Sequence, residues 1–144
     1  MIRRSLVLCA AFVFTALPLA AQTKQDPKSP IKEPTVQLSG SLDDLNLSKQ
    51  APQTGVIVTA KGWEQLAEAW RVKNPAKVDF KKEFLVVATS QAGKMTLNTR
   101  LDDQGDLRTE VVDNGDTQGG FRYAIRSFKQ DGVKTVNGKP LPVE

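Results

Sequence analysis

The chain has 144 residues, which is enough for one small domain and too few for two large ones. Its composition, 40% hydrophobic and 25% charged, is typical of a soluble globular protein, and a net charge of +4 is too small to predict a nucleic-acid partner. The chain contains no histidine, and Cys9 is its only cysteine. These absences exclude an internal disulfide, haem, iron–sulfur clusters, zinc sites built on His or Cys, and nucleophilic catalysis through Cys–His or Ser–His–Asp arrangements.

The N-terminus has the pattern of a cleaved export signal. Two arginines precede an apolar run from Leu6 to Leu17, which Pro18 ends. That run is shorter than the roughly 20 apolar residues that a membrane-spanning helix needs, and Ala21 supplies a small residue for cleavage. The pattern predicts a signal peptide over residues 1–21 and a periplasmic or secreted mature chain without a transmembrane segment.

Residues 22–52 have the composition of a flexible spacer, with four prolines and few apolar residues. Two interpretations of the second half of this segment stay open. In one, residues 35–38 add a short strand and the leucines of residues 42–47 dock on the domain. In the other, the whole segment holds the domain away from a surface. The folded domain itself is predicted over residues 53–144.

A helix is predicted near the start of this domain. Thr59 is a suitable N-cap, and Pro75 disfavours helical backbone at the residue before it. Tryptophans at helical spacing on an apolar stripe indicate core residues rather than a ligand-stacking pair. The stripe has the spacing i, i+3, i+4, i+7 and consists of Trp63, Leu66, Ala67 and Trp70.

The remainder of the domain reads as antiparallel sheet. Turns are predicted at residues 91–93, at Gly105, which can adopt positive φ, and at Asn137-Gly138. The expected fold class is α+β, with one N-terminal amphipathic helix packed on a mainly antiparallel sheet of about five strands. The strand-like runs are Phe84–Thr89, Met95–Leu101, Leu107–Val111 and Phe121–Ile125, and Val56–Val58 precedes the helix.

The stretch from Val56 to Pro142 carries the motifs WEQLAEAW, VDFKKEFLVVAT, LDDQGDL, GFRYAI and GVKTVNGKPLP. On these motifs it resembles a family of small exported bacterial proteins of unassigned function. It is more distantly similar to the C-terminal domain of B-type protease-complex proteins, which shares the helix, the DF pair and the strand that follows. The glycine-rich turn expected after the central strand of that domain is reduced here to residues 90–93. Neither resemblance carries over a catalytic residue.

Two residue groups have the types that catalysis needs. Ser90 and Lys94 lie four residues apart, as in a serine–lysine pair, but such a pair requires a buried lysine with a depressed pKa. Asp102, Asp103 and Asp106 offer the paired carboxylates of a glycoside hydrolase. Because both groups flank or occupy predicted turns, where these residue types are ordinary, no catalytic residue is assigned. A small carboxylate- or metal-dependent hydrolase stays as the alternative.

Two segments resemble calcium ligands. Asp102, Gln104 and Asp106 alternate like the start of a calcium loop, but this segment lacks the glycine at the sixth position and the later glutamate. Residues 113–116 cluster oxygen ligands, but the cluster is short. No metal and no cofactor is therefore predicted.

The arginines give the most informative pattern. Pairing the hairpin about Gln104 places the apolar side chains of both strands on one face. The opposite face then holds Arg100 directly across from Arg108, and the next strand adds Arg122 and Arg126. Arginine suits bidentate binding of carboxylate or phosphate. The alternative is that these are solvated strand arginines, balanced by nearby acids.

Residues 113–120 contain three glycines and are predicted to form a surface loop beside the arginines, able to close over a ligand. Together these patterns predict an exported, non-enzymatic binding or accessory domain. Its partner would be an extracytoplasmic protein or an anionic polymer that meets the arginine face. Besides the hydrolase, a purely structural component of the cell envelope is a further alternative.

Overall fold

The computed structural model describes residues 34–142, so the predicted signal peptide and the first part of the predicted spacer lie outside the described residues. The fold is mixed α and β, with few helices and a six-stranded sheet of order β2-β3-β4-β5-β6, in which β1 also pairs with β4. All strand pairs are antiparallel except β4–β5. The elements are β1 (Gln37–Leu42), a 3₁₀ helix (Leu45–Gln50), β2 (Val56–Ile57), α1 (Ala60–Ala69), β3 (Glu83–Leu101), β4 (Asp106–Lys129), β5 (Thr135–Val136) and β6 (Lys139–Pro140).

None of the helices within residues 34–142 is both long and apolar enough to cross a membrane.

Strands β3 and β4 form one long two-stranded ribbon. At its tip, Leu101 pairs with Leu107 and Arg100 with Arg108, which confirms the register predicted from the apolar alternation. Gly105 has a φ of +87° in the connecting turn, as the hairpin loop requires. A second predicted turn, Asn137-Gly138, joins β5 to β6, and both of its residues have positive φ.

The middle of the ribbon differs from the prediction. The hairpin turn expected at residues 91–93 and the surface loop expected at residues 113–120 are both wrong, because these segments continue β3 and β4. The register shifts here, so that β4 uses residues 115–121 where β3 uses only residues 91–93. The four extra residues are absorbed as bulges within the strand instead of as a loop, and Gly115 takes up a φ of +89°.

Helix α1 covers one face of the sheet. The Thr59 hydroxyl accepts the N–H of Gly62 at 3.0 Å, as an N-cap does, and the apolar stripe is buried. The helix ends well before Pro75, because Arg71 turns to a φ of +51° and the N–H of Val72 donates to the carbonyl of Ala67.

Two apolar cores flank the sheet. Each fully buried large side chain contributes about 1.5–3 kcal/mol. The helix core consists of Ile57, Trp63, Leu66, Ala67, Trp70, Leu85, Val87, Phe121 and Ile125. The ribbon core consists of Val56, Phe84, Val86, Ala88, Leu97, Leu107, Ala124, Phe128 and Val136. Since the ribbon core joins residues of the tip to residues of the base, the long ribbon folds back over itself.

The spacer boundary predicted at residue 52 is wrong, because the fold already includes β1 and the 3₁₀ helix. Val36 is buried, and its carbonyl accepts the N–H of Ser127 at 2.9 Å. The indole of Trp70 donates to the carbonyl of Leu47 at 2.8 Å, which docks the 3₁₀ helix on α1. Of the two interpretations left open, the docked one describes residues 36–52.

Candidate functional site

The structure separates the four arginines into two pairs. Arg100 and Arg108 face each other at the tip, on the side of the ribbon away from Leu97. Arg122 and Arg126 lie near the base of β4, where the regular alternation places them on the face of Ala124 and Phe128, both members of the ribbon core. The single arginine face expected from the sequence is therefore wrong. One pair points away from the ribbon core, and the other lies beside it.

The bulges explain this separation. At the base of β4, the ribbon-core residues Ala124 and Phe128 have even numbers, whereas at the tip the ribbon-core residue Leu107 has an odd number. The irregular segment between them inverts the alternation, and a change of one residue in register moves every later side chain to the other face.

The tip pair is compensated by the turn that it flanks. Arg108 lies 3.4 Å from a carboxylate oxygen of Asp102 and 3.6 Å from one of Asp106. Its side chain is 70% exposed, so these ion pairs are screened by solvent and contribute little. The aspartates offset the repulsion that facing arginines would otherwise create.

Asp106 fastens the tip to the C-terminal hairpin. Its Oδ1 accepts the hydroxyl of Thr135 at 2.7 Å and the backbone N–H of Gly138 at 2.9 Å. The Gly138 N–H, then the Thr135 hydroxyl and finally the charge of Arg108 lower the pKa of this carboxyl below its ordinary value. Asn137 adds a reciprocal pair of bonds, accepting the N–H of Thr109 and donating to its hydroxyl.

A shallow groove of about 630 Å³ lies at this tip. It carries the mixed charge of both arginines, Asp106 and Glu110, so its acids compete with any anion for the guanidinium groups. The other side chains and backbone that line it include Asn98, Thr99, Thr109, Asn137 and Gly138.

The base pair has a different environment. Arg122 and Arg126 are half-buried, and within residues 34–142 neither forms an ion pair with a carboxylate. Arg122 is opposite Ser90 on β3 and Ser41 on β1, and its Nε is buried without a hydrogen-bond partner among the described residues. A buried donor left without a partner costs about 1–3 kcal/mol. This is the one such side-chain atom in the described part of the chain.

The serine–lysine pair is not built for catalysis. Ser90 is buried, but its Oγ accepts the N–H of Ala92 at 3.0 Å, and Lys94 is exposed on the ribbon. An exposed lysine keeps its charge in water, whereas a general base for serine must be desolvated.

The carboxylates of the hairpin turn also have structural partners. Asp102 Oδ1 accepts the backbone N–H groups of Gln104 and Asp106 at 3.0 and 2.9 Å. A glycosidase acid needs a raised pKa, whereas the pKa of Asp106 is lowered. Among residues 34–142, no group of three or more acidic, histidine or cysteine side chains is arranged to hold a metal ion.

Sequence reasoning missed the strand that borders the base pair. The β1 residues Gln37, Ser39 and Ser41 are exposed, and each pairs across from Arg126, Ala124 or Arg122. Their alternation with Leu38 and Leu42 was a period-of-two signal. The prolines before and after this segment obscured that signal.

Comparison of the chain with protein-family models, with curated proteins and with solved structures finds no match to any of them.

Proposed function

We propose that this protein is an exported, non-enzymatic binding or accessory domain that holds an anionic group of an extracytoplasmic partner through Arg122 and Arg126. The observation that carries the proposal is the buried Nε of Arg122, which has no hydrogen-bond partner within the described residues. An oxygen of a carboxylate, sulfate or phosphate group would satisfy this donor with a charge-assisted hydrogen bond.

The surroundings of the base pair support a ligand role over a solvated one. Half-buried charges are screened less by salt than fully exposed ones, so each charge–charge contact made there is stronger. Arg122 and Arg126 are four residues apart on one strand, a distance of roughly 13 Å between Cα atoms. This spacing suits an extended partner with repeated anionic groups, either a protein segment or an anionic polymer, better than one small ion.

The tip pair is the internal control for this proposal. The variant Arg122→Gln with Arg126→Gln and the variant Arg100→Gln with Arg108→Gln lose the same two charges. Heparin, a polyanion without a peptide backbone, is a suitable probe. We expect the base variant to elute from immobilised heparin at clearly lower salt than the wild type, and the tip variant to elute close to it, since Asp102 and Asp106 already engage Arg108.

Arg122→Lys with Arg126→Lys keeps both charges but removes the guanidinium fork, so its retention should lie between those of the wild type and the glutamine variant. Equal losses in the base and tip variants would show that only net charge matters, and the proposal would then fail. Circular dichroism of each variant checks that the fold is retained.

Export is part of the same proposal. It is supported by Arg3 and Arg4, by the apolar run from Leu6 and by the break at Pro18. The intact mass of the protein released from its native cells should correspond to a chain that begins at Gln22. A released species that still contains Cys9 would contradict this cleavage.

A further inference from the structure

We propose that the outer edge of β1 receives an extended acidic segment of a partner protein as an additional strand, whose carboxylates reach Arg122 and Arg126. This inference rests on the proposed function and adds to it the class of partner and the mode of binding.

The backbone of β1 has one edge available for pairing. Val36 directs its carbonyl to Ser127 of β4, and hydrogen bonds alternate sides along a strand. The backbone N–H and C=O groups of Gln37, Ser39 and Ser41 therefore point away from β4. Within residues 34–142, no strand pairs with this side of β1.

The sequence of β1 leaves this edge unprotected. Natural sheets usually shield an edge with charged residues, with proline or by making the strand very short. β6 has both Lys139 and Pro140, and β2 has two residues. β1 has six residues, QLSGSL, with no charge and no proline. Such an edge is suited to strand addition, in which main-chain hydrogen bonds supply affinity.

Side chains on β1 leave room for the arginines. Ser39 and Ser41 share a face with Arg122 and Arg126, and they are small. A strand added to β1 would lie about 10 Å from β4, two strand spacings away. The long arginine side chains can extend over the serines toward acidic side chains on that strand. Acids at every second residue of the segment would match the arginine spacing.

Charge favours an acidic peptide over a second copy of this chain. Antiparallel pairing of two β1 edges would bring four arginines of the same face toward one interface, and like charges on neighbouring strands oppose association. An acidic segment instead supplies the charge that the base pair lacks among the described residues.

The test uses the full chain and a synthetic seven-residue peptide of alternating glutamate and threonine, with binding measured by fluorescence anisotropy. Ser39→Pro removes an outward N–H without touching the bonds to β4, a position where strands tolerate proline. We expect this variant to bind the peptide at least tenfold more weakly, whereas Ser39→Ala stays within twofold of the wild type. Heparin retention should be unchanged in both variants.

A peptide with N-methyl groups on alternate residues tests the same bonds without altering the protein. Methylation in one of the two alternating registers should abolish binding, and methylation in the other should not. If Ser39→Pro and both methylated peptides bind like their controls, strand addition is refuted while the anion site stands. If Arg122→Gln with Arg126→Gln binds peptide and heparin normally, the proposed function itself fails. If the chain dimerises and Ser39→Pro abolishes the dimer, the occupant of the edge is a second copy and the inference is overturned.

Discussion

The two ends of β4 carry the same residue type in opposite circumstances. At the tip, Arg108 is exposed and lies beside two aspartates of its own turn. At the base, Arg122 is half-buried, and its Nε is buried without a partner in the described part of the chain. An arginine whose charge is already balanced by local acids serves the fold, whereas one that is partly desolvated and unbalanced costs stability. That cost makes the base pair the better candidate for a binding role.

The largest expected effect tests what holds the base in place. Trp70 is 1% exposed, and its ring centroid lies 5.4 Å from that of Phe121 and 5.0 Å from that of Tyr123. Trp70→Ala should lower the free energy of unfolding by about 3–5 kcal/mol, because it leaves a large cavity. Urea denaturation measures this loss. Glu64→Ala, on the exposed side of α1, is the control and should stay within about 0.5 kcal/mol.

A loss below about 1.5 kcal/mol for Trp70→Ala would mean that the helix core does not support the base of β4.

The next effect separates β1 from β4. A Cβ at Gly120 would overlap the carbonyl oxygen of Leu42, so the two strands approach this closely only with glycine there. Gly120→Ala should cost about 1–3 kcal/mol in thermal or urea unfolding, as overpacking does. It should also weaken heparin retention, because β1 borders the base arginines.

Gly119→Ala is the matched control, since a Cβ at Gly119 would meet nothing within 4 Å. Equal stabilities of the two alanine variants would show that the strands can separate at Gly120 without cost.

Much of the tip could be predicted from the sequence, and much of the base could not. Strict alternation and Gly105 determine the register that pairs Arg100 with Arg108, because any other register would expose the apolar side chains. The faces of Arg122 and Arg126 depend on bulges, whose extra residues leave no mark in local alternation. Glycines near Gly120 suggested a loop, but here a glycine permits close approach of two strands.

The pH dependence of stability should reveal the role of Asp106 at the tip. Its pKa is lowered below the ordinary value of 3.8, chiefly by the N–H of Gly138 and the hydroxyl of Thr135. The ionised carboxylate therefore stabilises the fold fully above pH 3.8, and this contribution is lost as the pH falls through the lowered pKa. Asp106→Asn should be less stable than the wild type at pH 7, and the difference should close in strong acid.

Unfolding by urea at several pH values measures that difference. Asp103→Asn, at an exposed position of the same turn, is the control and should match the wild type at pH 7. A difference between Asp106→Asn and the wild type that widens in acid would contradict the assignment.

The smallest effect decides whether the tip arginines are balanced or in conflict. From the sequence alone, two facing arginines should repel, so that neutralising them would raise stability by up to about 1 kcal/mol. The structure places Asp102 and Asp106 within 3.6 Å of Arg108, which reverses the expected sign for that residue. Arg108→Gln should therefore lower the free energy of unfolding by about 0.2–1 kcal/mol, the range of exposed ion pairs. In 1 M salt the loss should shrink, because screening removes most of the attraction. In an Asp102→Asn background the loss should also be smaller, and this double-mutant cycle isolates the pair. If Arg108→Gln is instead more stable than the wild type at low salt, repulsion from Arg100 outweighs the aspartates, and the tip is as unbalanced as the base.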